Sequence, residues 1–146
     1  MTAATAGTLT VALDSSAPYL LASPGQTVEL GKLRFSATNE DVVLKQLSLA
    51  MLGAASNSPI TLVNQEVTLW DGTTQIGTAT FPGSEGAGVI NRATSSALTG
   101  FTVTKDGSKV LTVKGTIAGI TTSGPMTRSG EFPKVDYDGG GGLTAT

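Results

Sequence analysis

The sequence predicts an all-β fold, an immunoglobulin-like Greek-key β-sandwich of about eight to ten short strands with no significant helix. Apolar and polar residues alternate along many short segments, as in half-buried strands. Clusters of Gly, Pro, Asn and Asp separate these segments and indicate turns. Charged residues make up 14 % of the 146 residues, against about 25 % in average proteins, which leaves the chain rich in small polar residues. A small barrel is the less favoured alternative.

Composition excludes several function classes. The chain has no cysteine and no histidine, so it lacks the usual general base near neutral pH and the commonest ligands of transition metals. We therefore expect no enzymatic activity and no cofactor. A net charge of −2 and nine scattered Lys and Arg residues argue against a nucleic-acid partner. No apolar run is long enough to predict membrane insertion.

The first segment with strand-like alternation is GTLTVALD, residues 7–14. It places Leu9, Val11 and Leu13 on one face of the predicted strand. This strand either belongs to its own sandwich or pairs with the exposed sheet edge of a neighbouring copy, and both interpretations stay open here. In the second case the three apolar residues form a donor strand that drives assembly.

The next two segments are also predicted as strands. In residues 27–38, TVELGKLRFSAT, the apolar residues change parity across Gly31–Lys32, which indicates a β-bulge. Residues 39–52 begin with Asn39, a good helix cap, but their β-branched residues and period-two spacing favour a strand. The residues predicted to share its inner face are Val43, Leu47, Leu49 and Met51.

Two Asp-Gly pairs predict tight hairpins. Residues 66–81, EVTLWDGTTQIGTATF, form two predicted strands around Asp71–Gly72, and Lys105–Gly107 marks a second hairpin. Between them, residues 82–96 are predicted to form a long loop. Trp70, just before the first turn, is expected in the core, with a place at the edge of the sandwich as the alternative.

The end of the chain predicts a closing strand followed by a tail. The closing strand is expected within residues 133–138, PKVDYD. The domain boundaries that follow are a flexible N-terminal lead at 1–6, a single β-sandwich domain at 7–138, and a Gly-rich tail or linker at 139–146.

The chain contains, in this order, GTLTVALDSS, GQTVELGKLRFSATNEDVVLKQLSL, VTLWDGTTQIGTATF, FTVTKDGSKVLTVKGTI and GEFPKVDYDG. Together these segments resemble the immunoglobulin-like repeat modules of large bacterial cell-surface and extracellular structural proteins. The resemblance covers residues 7–138 and consists of fold motifs, not catalytic motifs. It implies an extracellular, cell-surface location and a structural or adhesive role. The partners it implies are other copies of the chain or neighbouring repeat domains.

Calcium is the metal ion that the sequence favours most, because carboxylate and amide oxygens are its usual ligands. The candidate ligands lie in two short stretches that could meet at one end of a sandwich. No calcium-loop motif is present, and acids that cap turns are the alternative. The candidates are Asn39, Glu40, Asp41, Asp136 and Asp138.

The leading hypothesis is a non-enzymatic extracellular structural module of a bacterial surface filament, surface layer or large adhesin, with the N-terminal strand as a donor strand. The alternatives are a glycan-binding or calcium-dependent adhesive module of a secreted protein, and a virion surface domain. For a glycan, Trp70, Tyr19 and Tyr137 are the candidate stacking residues.

Overall fold

The computed structural model describes residues 7–14, 23–51, 59–82, 90–119 and 133–138. Strands hold 61 % of these residues and no α-helix occurs among them, so the predicted all-β sandwich class is confirmed. No helix in the described part of the chain is long and apolar enough to cross a membrane. The strands are β1 Thr8–Leu13, β2 Thr27–Thr38, β3 Val42–Val43, β4 Ser48–Met51, β5 Leu62–Asp71, β6 Thr74–Thr80, β7 Asn91–Thr94, β8 Thr102–Val103, β9 Ser108–Ile117 and β10 Asp136–Tyr137, with one 3₁₀ turn at Pro59–Thr61.

The strands form two layers. The larger layer is a five-stranded antiparallel sheet in the order β1-β2-β9-β5-β6. The second layer combines the three-stranded sheet β10-β4-β7 with the pair β3-β8. Backbone bonds from Leu98 N to Lys45 O (2.8 Å) and from Ser95 N to Leu47 O (2.9 Å) connect these two parts. The second layer is therefore one irregular antiparallel ladder with β10 at its side.

Both layers contribute to one hydrophobic core. The ring of Phe35 in the larger sheet lies 5.7 Å from the ring of Phe101 and 6.4 Å from that of Tyr137, both edge-to-face. Full burial of one large apolar side chain contributes about 1.5–3 kcal/mol, so residues of this kind supply most of the stability. The largest fully buried side chains are Phe35, Phe81, Phe101, Leu33, Leu47, Leu49, Met51, Leu69, Leu111, Val67, Val103 and Val113.

The predicted β-bulge lies in β2, at Gly31. The register of β2 against β9 shifts between Glu29 and Gly31, and Leu30 and Gly31 are both buried. On the other side of the bulge, Val135 N donates to Leu30 O at 3.1 Å, which fixes the chain just before β10. A Cβ atom at Gly31 would lie 2.6 Å from the carbonyl oxygen of Val135. Glycine is thus required where the two layers approach each other.

The prediction of the first hairpin is confirmed, and the prediction of the second is wrong. β5 ends at Asp71 and β6 begins at Thr74, with Gly72 at φ 61° in the turn. The turn before β9 instead connects the two layers, since β8 pairs with β3 while β9 pairs with β2 and β5. Its left-handed residue is Asp106, at φ 56°, and Gly107 O accepts a bond from Ala37 N at 3.0 Å. An Asp-Gly pair predicts a turn, but it does not decide which strands pair.

Residues 82–96 are not the continuous loop that was predicted. Within them Asn91–Thr94 forms β7, which pairs antiparallel with β4. Asparagine and arginine have little intrinsic preference for strands, so local sequence gives a weak signal here. The strand forms because its backbone pairs with β4 and Ala93 packs into the core.

Residues 39–51, the described part of the segment predicted as one strand, contain two short strands, β3 and β4, and one inner residue was misassigned. β4 is fully buried, and Leu47, Leu49 and Met51 lie in the core. Val43 is exposed, whereas Val42 packs against the core. The parity changes because the chain leaves regular strand geometry between β3 and β4.

We expect the substitution Gly31→Ala to lower the free energy of unfolding by about 1–3 kcal/mol, because its methyl group would push against the backbone of Val135. Urea denaturation measures the change. Gly119→Ala is the matched control, since a Cβ there meets nothing within 4 Å. Equal stability of the two variants would contradict this account of the bulge.

Candidate functional site

β1 lies at one edge of the five-stranded sheet and pairs with β2 of its own chain. The pairing is antiparallel and unbroken, from Thr8 opposite Thr38 to Leu13 opposite Leu33. Among the described residues, no strand pairs with the outer edge of β1. The structure thus places the predicted donor residues in their own sandwich, and their donation to a neighbour stays a prediction.

One hydrogen bond shows which residues of β1 direct their backbone N–H and C=O groups towards β2. Asp14 N donates to Lys32 O at 2.9 Å, in register with the β1–β2 ladder. In an antiparallel ladder, hydrogen-bonded and non-hydrogen-bonded pairs alternate along the strand. Thr8, Thr10 and Ala12 therefore direct their backbone N–H and C=O groups towards β2.

The remaining residues of β1 direct their backbone groups towards the open edge. These residues are Leu9, Val11 and Leu13, the same three that the sequence suggested for strand pairing. An independent contact supports this parity. Ala37, which lies opposite Leu9, donates its N–H to Gly107 O on the far side of β2 at 3.0 Å. We call this row of outward backbone groups the β1 edge. No strand of the described residues pairs with it.

Within the described residues, the β1 edge has no charge, proline or bulge of the kind that protects sheet edges. Strands at sheet edges normally carry a lysine, a proline or a bulge that prevents pairing with other chains. Residues Thr8–Leu13 contain no charge and no proline, and their register has no shift. Leu9 and Val11 pack partly against the core, while Leu13 is 53 % exposed. As far as the described residues show, the edge is thus both unprotected and partly apolar.

Charged groups limit the β1 edge at its two ends. Gly7 N donates to Glu40 Oε1 at 2.9 Å, so this N–H is already occupied. At the other end, Arg34 Nη2 lies 3.0 Å from Asp14 Oδ2. Both contacts are made within the chain, and the uncharged strand lies between them.

The opposite edge of the same sheet is closed. Ser96 N donates to Thr78 O at 2.7 Å, and Thr99 N donates to Ile76 O at 3.1 Å. Thr78 N in turn donates to Ser96 Oγ at 3.0 Å. The segment after β7 therefore covers β6. The outer strands of the second layer, β10 and β7, have only two and four residues, and short edge strands give little template for pairing.

Trp70 does not lie in the core, so that prediction is wrong. It is half-buried on the outer face of the larger sheet, where its Nε1–H donates to Thr68 Oγ1 at 2.8 Å. Lys114 Nζ lies 4.6 Å from the centre of its ring. Tyr137 packs against Phe35 on the core side of that sheet, so Trp70 and Tyr137 do not share a surface. Tyr19 lies outside the described residues.

In the first group of candidate calcium ligands, the carboxylates of Glu40 and Asp41 accept hydrogen bonds from backbone N–H groups of other segments. Glu40 caps the start of β1, and Asp41 Oδ1 accepts a bond from Lys105 N at 2.7 Å. Asn39, at φ 72°, donates its N–H to Asp106 Oδ1 at 3.2 Å. The contacts of Asn39 and Asp41 join the segment after β2 to the turn before β9, as turn-capping acids do.

The second group of candidates is paired with cations of the chain. Arg92 Nε lies 2.8 Å from Asp138 Oδ2, and Lys134 Nζ lies 3.4 Å from Asp136 Oδ1. Asp136 Oδ1 is buried and has no hydrogen-bond partner among the described contacts, so the lysine compensates only its charge. No group of three or more acidic side chains that could hold a metal ion occurs in the described residues. A calcium site stays a prediction.

Comparison with protein-family models, with curated proteins and with solved structures finds no match. The resemblance to bacterial surface modules stays an expectation from sequence motifs. The β1 edge is the surface whose geometry gives the clearest indication of an interaction.

We expect amide hydrogen exchange along β1 to alternate in a dilute sample. The N–H groups of Thr10 and Ala12 bond to β2 and should exchange slowly, whereas those of Val11 and Leu13 face outwards and should exchange fast. Residue-resolved NMR measures the rates. Uniform protection, or protection of Val11 and Leu13 instead, would contradict the assigned parity.

Proposed function

We propose that this chain is a non-enzymatic structural module of a bacterial cell-surface assembly, such as a filament, a surface layer or a large adhesin. Its function is cohesion, which it provides by pairing the β1 edge with another β-strand. The unprotected β1 edge is the observation that carries this proposal. The resemblance of the sequence to bacterial surface modules supports the extracellular location.

The contrast between the two edges of the larger sheet supports an interaction role. The β6 edge is covered by backbone bonds to Ser96 and Thr99, and both edges of the second layer are short. A chain that only had to avoid aggregation would be expected to protect β1 as well. An unprotected edge beside a protected one is typical of sheets that are extended by a partner strand.

The arrangement of the larger sheet suits a mechanical role. β2, β9 and β5 each have hydrogen-bonded neighbours on both sides, and they are the longest strands described. Threonine-rich outer faces and a low charge content let neighbouring modules pack closely. The absence of histidine and cysteine from the sequence agrees with a function that needs no chemistry.

We expect Leu13→Pro to abolish assembly of the purified chain and to leave its fold intact. Proline removes an N–H that faces outwards, so no bond to β2 is lost. The matched control is Leu13→Ala, which keeps the N–H and should still assemble. Light scattering and negative-stain electron microscopy follow assembly, and near-ultraviolet circular dichroism reports the fold. The proposal would be contradicted if the chain without substitutions is monomeric at every concentration, or if it shows catalytic turnover.

A glycan-binding module is the second candidate. The observation that favours it is Trp70, a half-exposed aromatic ring on a polar sheet face, oriented by Thr68 and Lys114. Sugar sites commonly combine an aromatic ring with hydrogen-bonding side chains around it. Tyr137 does not take part, because it packs on the core side.

A glycan array separates the two candidates. For a glycan-binding module, we expect binding that Trp70→Ala abolishes and that Tyr137→Phe, the matched aromatic control, leaves unchanged. A flat array with the unmodified chain excludes this second candidate and does not affect the proposal of cohesion.

A further inference from the structure

We propose that the strand which pairs with the β1 edge is β1 of a second copy, antiparallel to the first, with a two-fold axis at Val11. The two five-stranded sheets then join into one continuous sheet. This inference rests on the proposed function and names the partner of the same edge.

The β1 edge is complementary to itself in this orientation. Leu9, Val11 and Leu13 carry the outward N–H and C=O groups, and their side chains share one face of the strand. In an antiparallel pair, residues that lie directly opposite each other are on the same face. A pairing of these three residues with the same three residues of the partner therefore matches both the hydrogen bonds and the faces.

The ends of the strand select one register. With Val11 at the axis, Val11 pairs with its own counterpart and Leu9 pairs with Leu13 of the second copy, so all outward groups are used. An axis at Thr10 would require the N–H of Gly7, which Glu40 already binds. With an axis at Ala12, the residue opposite Leu9 would lie beyond the end of β1 in the second copy, so Leu9 would have no partner in that strand. The register centred on Val11 is therefore the most complete.

Side chains favour the same register. Leu13, which is 53 % exposed in the single chain, would lie next to Leu9 of the second copy. Residues Thr8–Leu13 carry no charge, so two identical strands approach without repulsion. On the opposite face, Thr10 would lie next to Ala12 of the second copy, and both are small enough for close contact.

A pair formed through one short strand is weak by itself. Stable interfaces bury about 1,200–2,000 Å² in total, which a single edge strand does not reach. Weak contacts become effective when many modules are linked, because each contact raises the effective concentration for the next. The two-fold pair is also closed. It therefore fits a module that occurs in a series of linked modules and connects one such series to the next.

Disulfide trapping tests the register directly, because the chain has no cysteine of its own. Two single variants, Thr10→Cys and Ala12→Cys, are prepared, one of them labelled with ¹⁵N. They are mixed at high concentration under mild oxidation and analysed by mass spectrometry. In the proposed register these positions form a non-hydrogen-bonded pair with Cα atoms about 4.5 Å apart, a distance that a disulfide can span.

We expect the disulfide between the two different variants to dominate, with self-linked dimers at trace level. Self-linked Thr10→Cys or self-linked Ala12→Cys as the main product would place the axis elsewhere and overturn the register. Assembly without any disulfide would overturn the inference. The proposed function would then stand if Leu13→Pro still abolishes assembly, and it would fail if the Leu13→Pro variant assembles as before. Absence of both assembly and disulfide would overturn both.

Discussion

The alternation of hydrogen-bonded and non-hydrogen-bonded pairs in the β1–β2 ladder determines which backbone groups of β1 another strand can bind. A strand has two edges, and alternate residues serve each of them. The bond from Asp14 N to Lys32 O assigns Thr8, Thr10 and Ala12 to the inner edge. It thereby assigns Leu9, Val11 and Leu13 to the open edge. The surface chemistry that follows is that of unpaired peptide groups along an uncharged strand.

The rest of the fold holds β1 in place and covers the opposite edge of the larger sheet. At the bulge, Val135 N donates to Leu30 O, which ties the second layer to β2, the strand that pairs with β1. On the far side, Ser96 and Thr99 cover β6. The capping contacts of Glu40 and Asp41 fix the corner at which β1 begins. The molecule therefore presents one extended template for pairing within its described residues.

Sequence reasoning succeeded where the signal is local. The bulge at Gly31 and the hairpin at Asp71–Gly72 depend on a few neighbouring residues, and both were predicted. It failed where distant pairing decides. Asn91–Thr94 is a strand because β4 lies beside it, and Trp70 faces outwards because of the register of β5. The parity of Leu9, Val11 and Leu13 was predicted, but which edge carries their backbone groups depends on β2. The spacing of the acidic residues along the chain likewise did not indicate whether their carboxylates lie close enough to bind one metal ion.

Hydrogen exchange of the assembled chain, compared with the dilute chain, tests the central claim most directly. If the β1 edge closes against another strand, the N–H groups of Leu9, Val11 and Leu13 become protected on assembly. The N–H of Thr10, which is already bonded to β2, keeps its rate. Assembly that leaves all three outward amides as fast as in the dilute chain would contradict the claim that cohesion occurs through this edge.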